Sequence, residues 1–151
     1  MSPKDVFSGV KIFDSLTPQT LSSATVTNGT AVDLSINNPQ SLVVFTNLYN
    51  FTSGAIQVQD VQYDTVNTFD SPNLTTITDV EKFQRNDRYS SADALAQTEL
   101  TAVGIAKIGV PNFAVGGQRF FRVRYVTTGT VNLDVYSFVA IEDGITGLLV
   151  Q

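Results

Sequence analysis

The run Gln118 to Ala140, QRFFRVRYVTTGTVNLDVYSFVA, constrains this chain more than any other stretch. Two segments rich in aromatic and β-branched residues flank Thr127-Thr128-Gly129, the pattern of a β-hairpin. A three-residue loop ending in glycine fits a type I turn followed by a left-handed residue, which glycine reaches without a Cβ clash. That register sets Tyr125 opposite Val131, Val123 opposite Leu133 and Phe121 opposite Val135, all on one face. The other face pairs Arg124 with Asn132 and Arg122 with Asp134. A slip of one residue would set Val123 against Asp134, so the pattern favours the first register. Arg122 and Asp134 then read as a solvated cross-strand ion pair, worth about 0–1 kcal/mol. The sharper reading is a basic strip, Arg119, Arg122 and Arg124, presented to an acidic partner.

A chain of 151 residues reads as one domain, 1–151, large enough to bury a core. Its charged content is 15%, against about 25% in ordinary soluble domains. Thr, Asn, Ser and Gln carry much of the remaining polarity, a wettable but uncharged surface that suits a chain packed against a neighbour and equally a secreted β-protein. The net charge of −5 and the lack of any Lys/Arg run argue against nucleic-acid binding. There is no cysteine, so no disulfide framework or thiol nucleophile is available. The first residues, MSPKDVFSGVKIF, hold no continuous apolar segment, which predicts no signal peptide. Aliphatic runs such as Leu42 to Phe45 fall far short of the ~20 residues that span a bilayer, so no membrane partner is expected.

Short strand signals recur along the chain. After an N-terminal arm, about residues 1–10, Lys11 to Phe13 reads as an edge strand that Pro18 interrupts. Leu21 to Val26 reads as a strand stopped by a tight turn at Asn28-Gly29. Thr30 to Ile36 alternates. Ser41 to Leu48 reads as a central strand that can be covered on both faces. Asn50 to Gly54 reads as a turn. Ala55 to Tyr63 alternates, with a phase change at Asp60-Val61 that a β-bulge would produce. Asn67 to Asn73 reads as a loop, and Leu74 to Val80 and Val103 to Val110 as strands. Ser91 to Leu100 is the one helical stretch, capped by Ser91 or Asp93. A tail, about residues 144–151, ends in apolar ITGLLVQ and reads as an added edge strand or as a segment that docks on another subunit. The fold expected is all-β, an antiparallel jelly roll or β-sandwich of about eight strands with at most one short helix.

Chemistry is sparse. With neither histidine nor cysteine, Ser-His and Cys-His catalysis are excluded. Asp60 and Asp64 share a strand face, but four residues at ~3.3 Å each separate their backbones by roughly 13 Å. Glycosidase carboxyl pairs sit about 5–9.5 Å apart, so two solvated aspartates are the plainer reading. Asp87 with Asp93, and Glu142 with Asp143, lack the D-x-[DN]-x-[DN]-G calcium loop. No glycine pattern forms a phosphate cradle. Tyr49, Phe51, Tyr63 and Phe69 read as core aromatics or, alternatively, as a sugar-stacking platform. No catalytic residue, metal or cofactor is therefore expected, and no enzyme.

Four segments together resemble one family: SLTPQTLSSATVTNGTAVDL, IQVQDVQYD, AQTELTAVGIAKIGVP and GQRFFRVRYVTTGTVNLDVYSFVA. They are similar, as scattered likeness over about residues 12–141, to the jelly-roll cement or decoration proteins of tailed bacteriophage heads. The Gln118 to Thr130 part is the most distinctive; the Glu81–Ser91 excursion and the apolar tail depart from the pattern. The resemblance implies a non-enzymatic virion protein, made in the host cytoplasm, on the outer surface of the capsid. There it would bridge major capsid proteins as a small homo-oligomer, a dimer ahead of a trimer. The residues expected to touch partners are Val6 and Phe7 in the arm, Arg119, Arg122 and Arg124 in the strip, and Leu148 and Leu149 in the tail. The alternative is a carbohydrate-binding, lectin-like module of a phage tail or spike, with a carboxylate-only glycosidase behind both.

Overall fold

The structure, a computed structural model, describes residues 10–34, 39–77, 99–110 and 119–143. Its strands are β1 (Val10–Leu21), β2 (Val26–Asn28), β3 (Val32–Asp33), β4 (Pro39–Asp64), β5 (Thr75–Ile77), β6 (Gly104–Val110) and β7 (Phe120–Asp143), all paired antiparallel. No helix occurs among the described residues. The expected all-β architecture is what the chain forms. The expected helix at Ser91 to Leu100 lies almost wholly outside the described residues; Leu100 itself makes an isolated bridge to Ile56.

Two long strands build the molecule. β4 runs for 26 residues and β7 for 24. They pair from Pro39 opposite Asp143 to Asp64 opposite Phe120. A ribbon of that length cannot bury a face against itself while straight, so it folds over. The proof is Tyr125, whose Oη lies 2.6 Å from Ser137 Oγ on the same strand. Twelve residues at ~3.3 Å each would hold the two about 40 Å apart on a straight strand. The fold lies where the register shifts, between Phe51 and Ala55 on β4 and opposite Thr128 on β7. Gly54 (φ 94°) and Gly129 (φ 81°) occupy this corner, in a region of φ that other residues adopt only with strain.

The Gln118–Ala140 hairpin is therefore corrected. The chain does reverse at Thr128-Gly129, but its two halves go into opposite layers instead of pairing with each other. Tyr125 lies opposite Val58 and Thr27, Val123 opposite Val61, and Leu133 opposite Phe51 and Leu21. Thr127, expected in the turn, is buried and donates through Oγ1 to the Ser23 carbonyl at 2.7 Å. The Arg122–Asp134 pair does not form: Asp134 accepts from Thr20 and Asn50, and Arg122 donates to Gln62.

One layer, the first sheet, runs β1, the C-terminal half of β7, the N-terminal half of β4, then β6. The second places the short β2 and β3 beside the N-terminal half of β7, followed by the C-terminal half of β4 and β5. Alternation fills the space between. Phe121, Val123 and Tyr125 point in from one layer and Leu133, Val135 and Val139 from the other, into one core cluster. Fully burying such a side chain is worth about 1.5–3 kcal/mol, and folding the ribbon buries a row from each half, which favours the folded form over a flat one.

Smaller features follow local chemistry. Pro18 sits in the register shift between Leu16 and Gln19, where a residue without N–H breaks no bond that an edge strand needs. The expected bulge near Asp60 is present between Val58 and Asp60. Leu21 to Val26 is not one strand; β1 ends and β2 begins within it. The turn expected at Asn50 to Gly54 is this corner, which β4 rounds without leaving the strand. Gly29 is not a tight turn either. It donates to the Val123 carbonyl at 2.7 Å, and a Cβ there would sit 2.8 Å from that oxygen and against Ser15 Oγ.

Candidate interaction surface

The two sheets differ on their outer faces. On the second sheet the charged outward residues are paired locally, beside the apolar Phe120, Val126 and exposed Val26. Asp60, 1% exposed, takes both Nε and Nη2 of Arg124, at 2.7 and 2.5 Å. Hydrogen bonding to Asp60 raises the Arg124 guanidinium above its ordinary value, against the effect of burial. Arg122 donates to Gln62 at 2.8 Å and lies 4.3 Å over the Phe69 ring. Burial, with the charge of Arg124 beside it, lowers the Arg122 guanidinium. Arg119 pairs with Asp33 at 2.7 Å near the start of β7, and that bond raises it. The three expected strip arginines thus share one end of the second sheet, each with an internal partner; Arg119 is the most exposed.

Asp64 closes the same face. It accepts from the backbone and hydroxyl of Ser71 and from the backbone of Thr65, fixing the loop between β4 and β5. Burial pushes its carboxyl up, but these bonds together outweigh burial and hold it below the ordinary value. Asp60 and Asp64 therefore serve two separate structural tasks and form no acid pair. Phe69, held at φ 56°, and Tyr63 are buried, and Phe51 packs on the core. Of the expected sugar platform only Tyr49 is exposed, at 43%. Among the described residues no group of three potential metal-ligating side chains exists. The pair Asp87 and Asp93 lies outside the described residues, as do Val6, Phe7, Leu148 and Leu149.

The outer face of the first sheet is apolar and open. Strand alternation turns Val44, Thr46 and Leu48 inward and leaves Phe45, Asn47 and Tyr49 outward; Val135, Ser137 and Val139 inward and Tyr136 and Phe138 outward. Phe45 and Phe138 stack at 4.8 Å and 15°, Tyr136 lies 6.3 Å from Phe138, and Tyr49 5.9 Å from Tyr136. Asn47 Nδ2 donates to the Tyr136 hydroxyl at 2.7 Å. Ile12 on β1 and Ile105 on β6 flank these rings, 65% and 66% exposed. One row reads straight across the sheet: Asp14 opposite Phe138, Phe138 opposite Phe45, Phe45 opposite Lys107. The next reads Ile12, Ala140, Val43, Gly109.

The sequence reading of Ser41 to Leu48 as coverable on both faces anticipated an apolar outer side, but did not assign it as a contact surface. Its signal was present: SLVVFTNL is apolar at both parities, so the strand needs cover on two sides, and the described residues supply it on one.

No protein-family model matches the chain, and no curated protein does. Solved structures share its architecture at low identity. The PBSX exported protein XepA matches at 14% identity and TM-score 0.52, over 89% of this chain and 37% of that one. A chain of the infectious bursal disease virus Gt strain matches at 11% and 0.50, over 89% and 33%. The SPBc2 prophage-derived protein YomS matches at 12% and 0.44, over 87% and 91%. The chain thus spans about a third of the first two proteins, and the likeness to them establishes its fold as that of an antiparallel β-sandwich.

Proposed function

We propose that this chain is a non-enzymatic virion structural protein of the capsid cement or decoration type, bound to the outer surface of a phage head. It would brace the shell by bridging major capsid proteins. The observation that carries this reading is the open aromatic face of the first sheet, on a sandwich whose described arginines and buried acids are paired internally. Such a surface gains free energy by excluding water against another protein. The sequence resemblance to cement proteins supports it, as does a shared sandwich in a virus structure. The arm at Val6 and Phe7 and the tail at Leu148 and Leu149 supply apolar contacts to the shell, with Arg119 the most available of the three strip arginines. The test mixes purified protein with expanded, undecorated heads. Saturable binding that raises the temperature at which the heads break supports the reading; no binding at any concentration overturns it.

A carbohydrate-binding role is the second reading. It is favoured by one feature, the exposed Tyr49 beside Tyr136 with the Asn47 and Asn50 amides nearby. Saturable binding on a glycan array, abolished by Tyr49→Ala, would establish it in place of the first.

A further inference from the structure

We infer that the outer face of the first sheet is a self-complementary surface on which a second copy of this chain packs, face to face, about a two-fold axis parallel to the strands. This rests on reading that face as a protein-contact surface; covered by a second copy, it leaves the arm at Val6 and Phe7, the tail at Leu148 and Leu149, and Arg119 to hold the shell. The argument is the order of residues across it. A two-fold axis in the plane of the contact, running along the strands between β4 and β7, reverses each cross-strand row of one copy over the same row of the other. The row Asp14–Phe138–Phe45–Lys107 then sets Asp14 over the partner's Lys107 at both edges, with the stacked phenylalanine pair over its equivalent in the middle. The row Ile12–Ala140–Val43–Gly109 sets the protruding Ile12 over the partner's Gly109, which has no side chain, and Ala140 over the partner's Val43. Large meets small and positive meets negative, as an isologous contact requires. The other in-plane axis, across the strands, would stack Asp14 on the partner's Asp14 and Lys107 on the partner's Lys107. Charge thus selects one axis over the other.

Size sets the strength. Four strands about 4.8 Å apart and about 25 Å of strand length give roughly 500 Å² per copy, about 1,000 Å² in all. That is the low end of specific interfaces, so the expected behaviour is a reversible monomer–dimer equilibrium. Fixing copies close together on a larger assembly would raise their effective concentration and drive the pair.

The experiment is sedimentation equilibrium from about 1 μM to about 1 mM on the wild type, Lys107→Asp, Asp14→Lys and the double exchange. The mass should rise with concentration from the 16.3 kDa of one chain towards twice that value. Each single reversal should weaken association about tenfold or more, since it puts like charges together at both edges. The double exchange should restore it. Within one chain Asp14 and Lys107 are three strand spacings apart, about 14 Å, beyond the screening length of about 8–10 Å. Restoration therefore reports contact between copies. Both positions are exposed, so folding is retained, and circular dichroism checks it. A single mass of one chain at every concentration, single reversals without effect, or a double exchange that fails to restore association would each overturn the inference. A monomer that saturates on capsid shells would assign the face to a shell subunit, and a monomer that binds glycans to a sugar. A dimer that ignores shells would leave this inference standing and remove the virion reading.

Discussion

Tyr125 joins the two layers through its hydroxyl, and its surroundings fix the protons. Ser137 Oγ donates to the Phe45 carbonyl at 2.7 Å, so it accepts from the phenol. Ser15 Oγ, 2.7 Å from the phenol on its other side, is then left to donate. Tyr125→Phe removes the link and leaves the buried Ser15 hydroxyl without its acceptor, at a cost of about 1–3 kcal/mol. At this chain length that is about 2–4 °C in Tm for each kcal/mol, readable in a thermal melt. Burial pushes the Tyr125 phenol up to about 12, partly opposed by its serine bonds. The raised value means that the unfolded chain loses this proton first. Stability should therefore be whole below pH 10 and fall as pH rises from 10 to about 12. In a pH-dependent denaturation series Tyr125→Phe should flatten part of that fall, and Tyr63, also raised by burial, contributes a further part. The ion pairs should rank by burial. Asp60→Asn strands Arg124 against a carboxamide on a nearly closed face and should cost about 2–3 kcal/mol, below the 3–5 of a fully buried pair because Arg124 keeps some water. Asp33→Asn breaks a pair whose arginine side chain is 53% exposed and should cost under about 1 kcal/mol. Equal losses in urea denaturation would contradict this ordering.

At the scale of elements, the corner decides the fold. Gly54 and Gly129 both hold positive φ, but their surroundings differ. A Cβ on Gly54 would lie 3.0 Å from Val131 Cα and 3.1 Å from the Thr130 carbonyl, whereas one on Gly129 meets only Gly54 Cα, at 3.7 Å. Gly129→Ala should cost about 1–2 kcal/mol, from backbone strain alone. Gly54→Ala should cost more, since backbone must also move; guanidinium midpoints for the two variants test the order. The corner also shows what the sequence could reveal. Thr128-Gly129 announced a reversal correctly, because positive φ is a local demand. Whether the strand then pairs with itself or crosses to the opposite layer depends on β4, whose own break at Gly54 lies 75 residues earlier in the chain. The odd-numbered apolar positions from Phe121 to Ile141 suit both outcomes. The bulge at Asp60 was legible for the opposite reason: a phase change within one strand needs no partner to be seen. The arginines were legible as a cluster but not as a satisfied one, because Asp60, Gln62 and Asp33 reach them only through pairing across strands.

For the whole molecule, the balance of charge and apolar surface separates two kinds of face. Among the described residues the second sheet pairs its charges internally, and across the first the stacked rings lie between Asp14 and Lys107. On the proposed function, the aromatic face of the first sheet is where the protein meets other protein. Hydroxyl-radical footprinting of the assembled protein, compared with the dilute monomer, tests that most directly. Protection should concentrate on Tyr136, Phe138, Phe45 and Ile12, with Leu74 and Val66, exposed on the opposite side, unchanged. Full reactivity of the four first-sheet residues in the assembled form, with protection elsewhere, would contradict it.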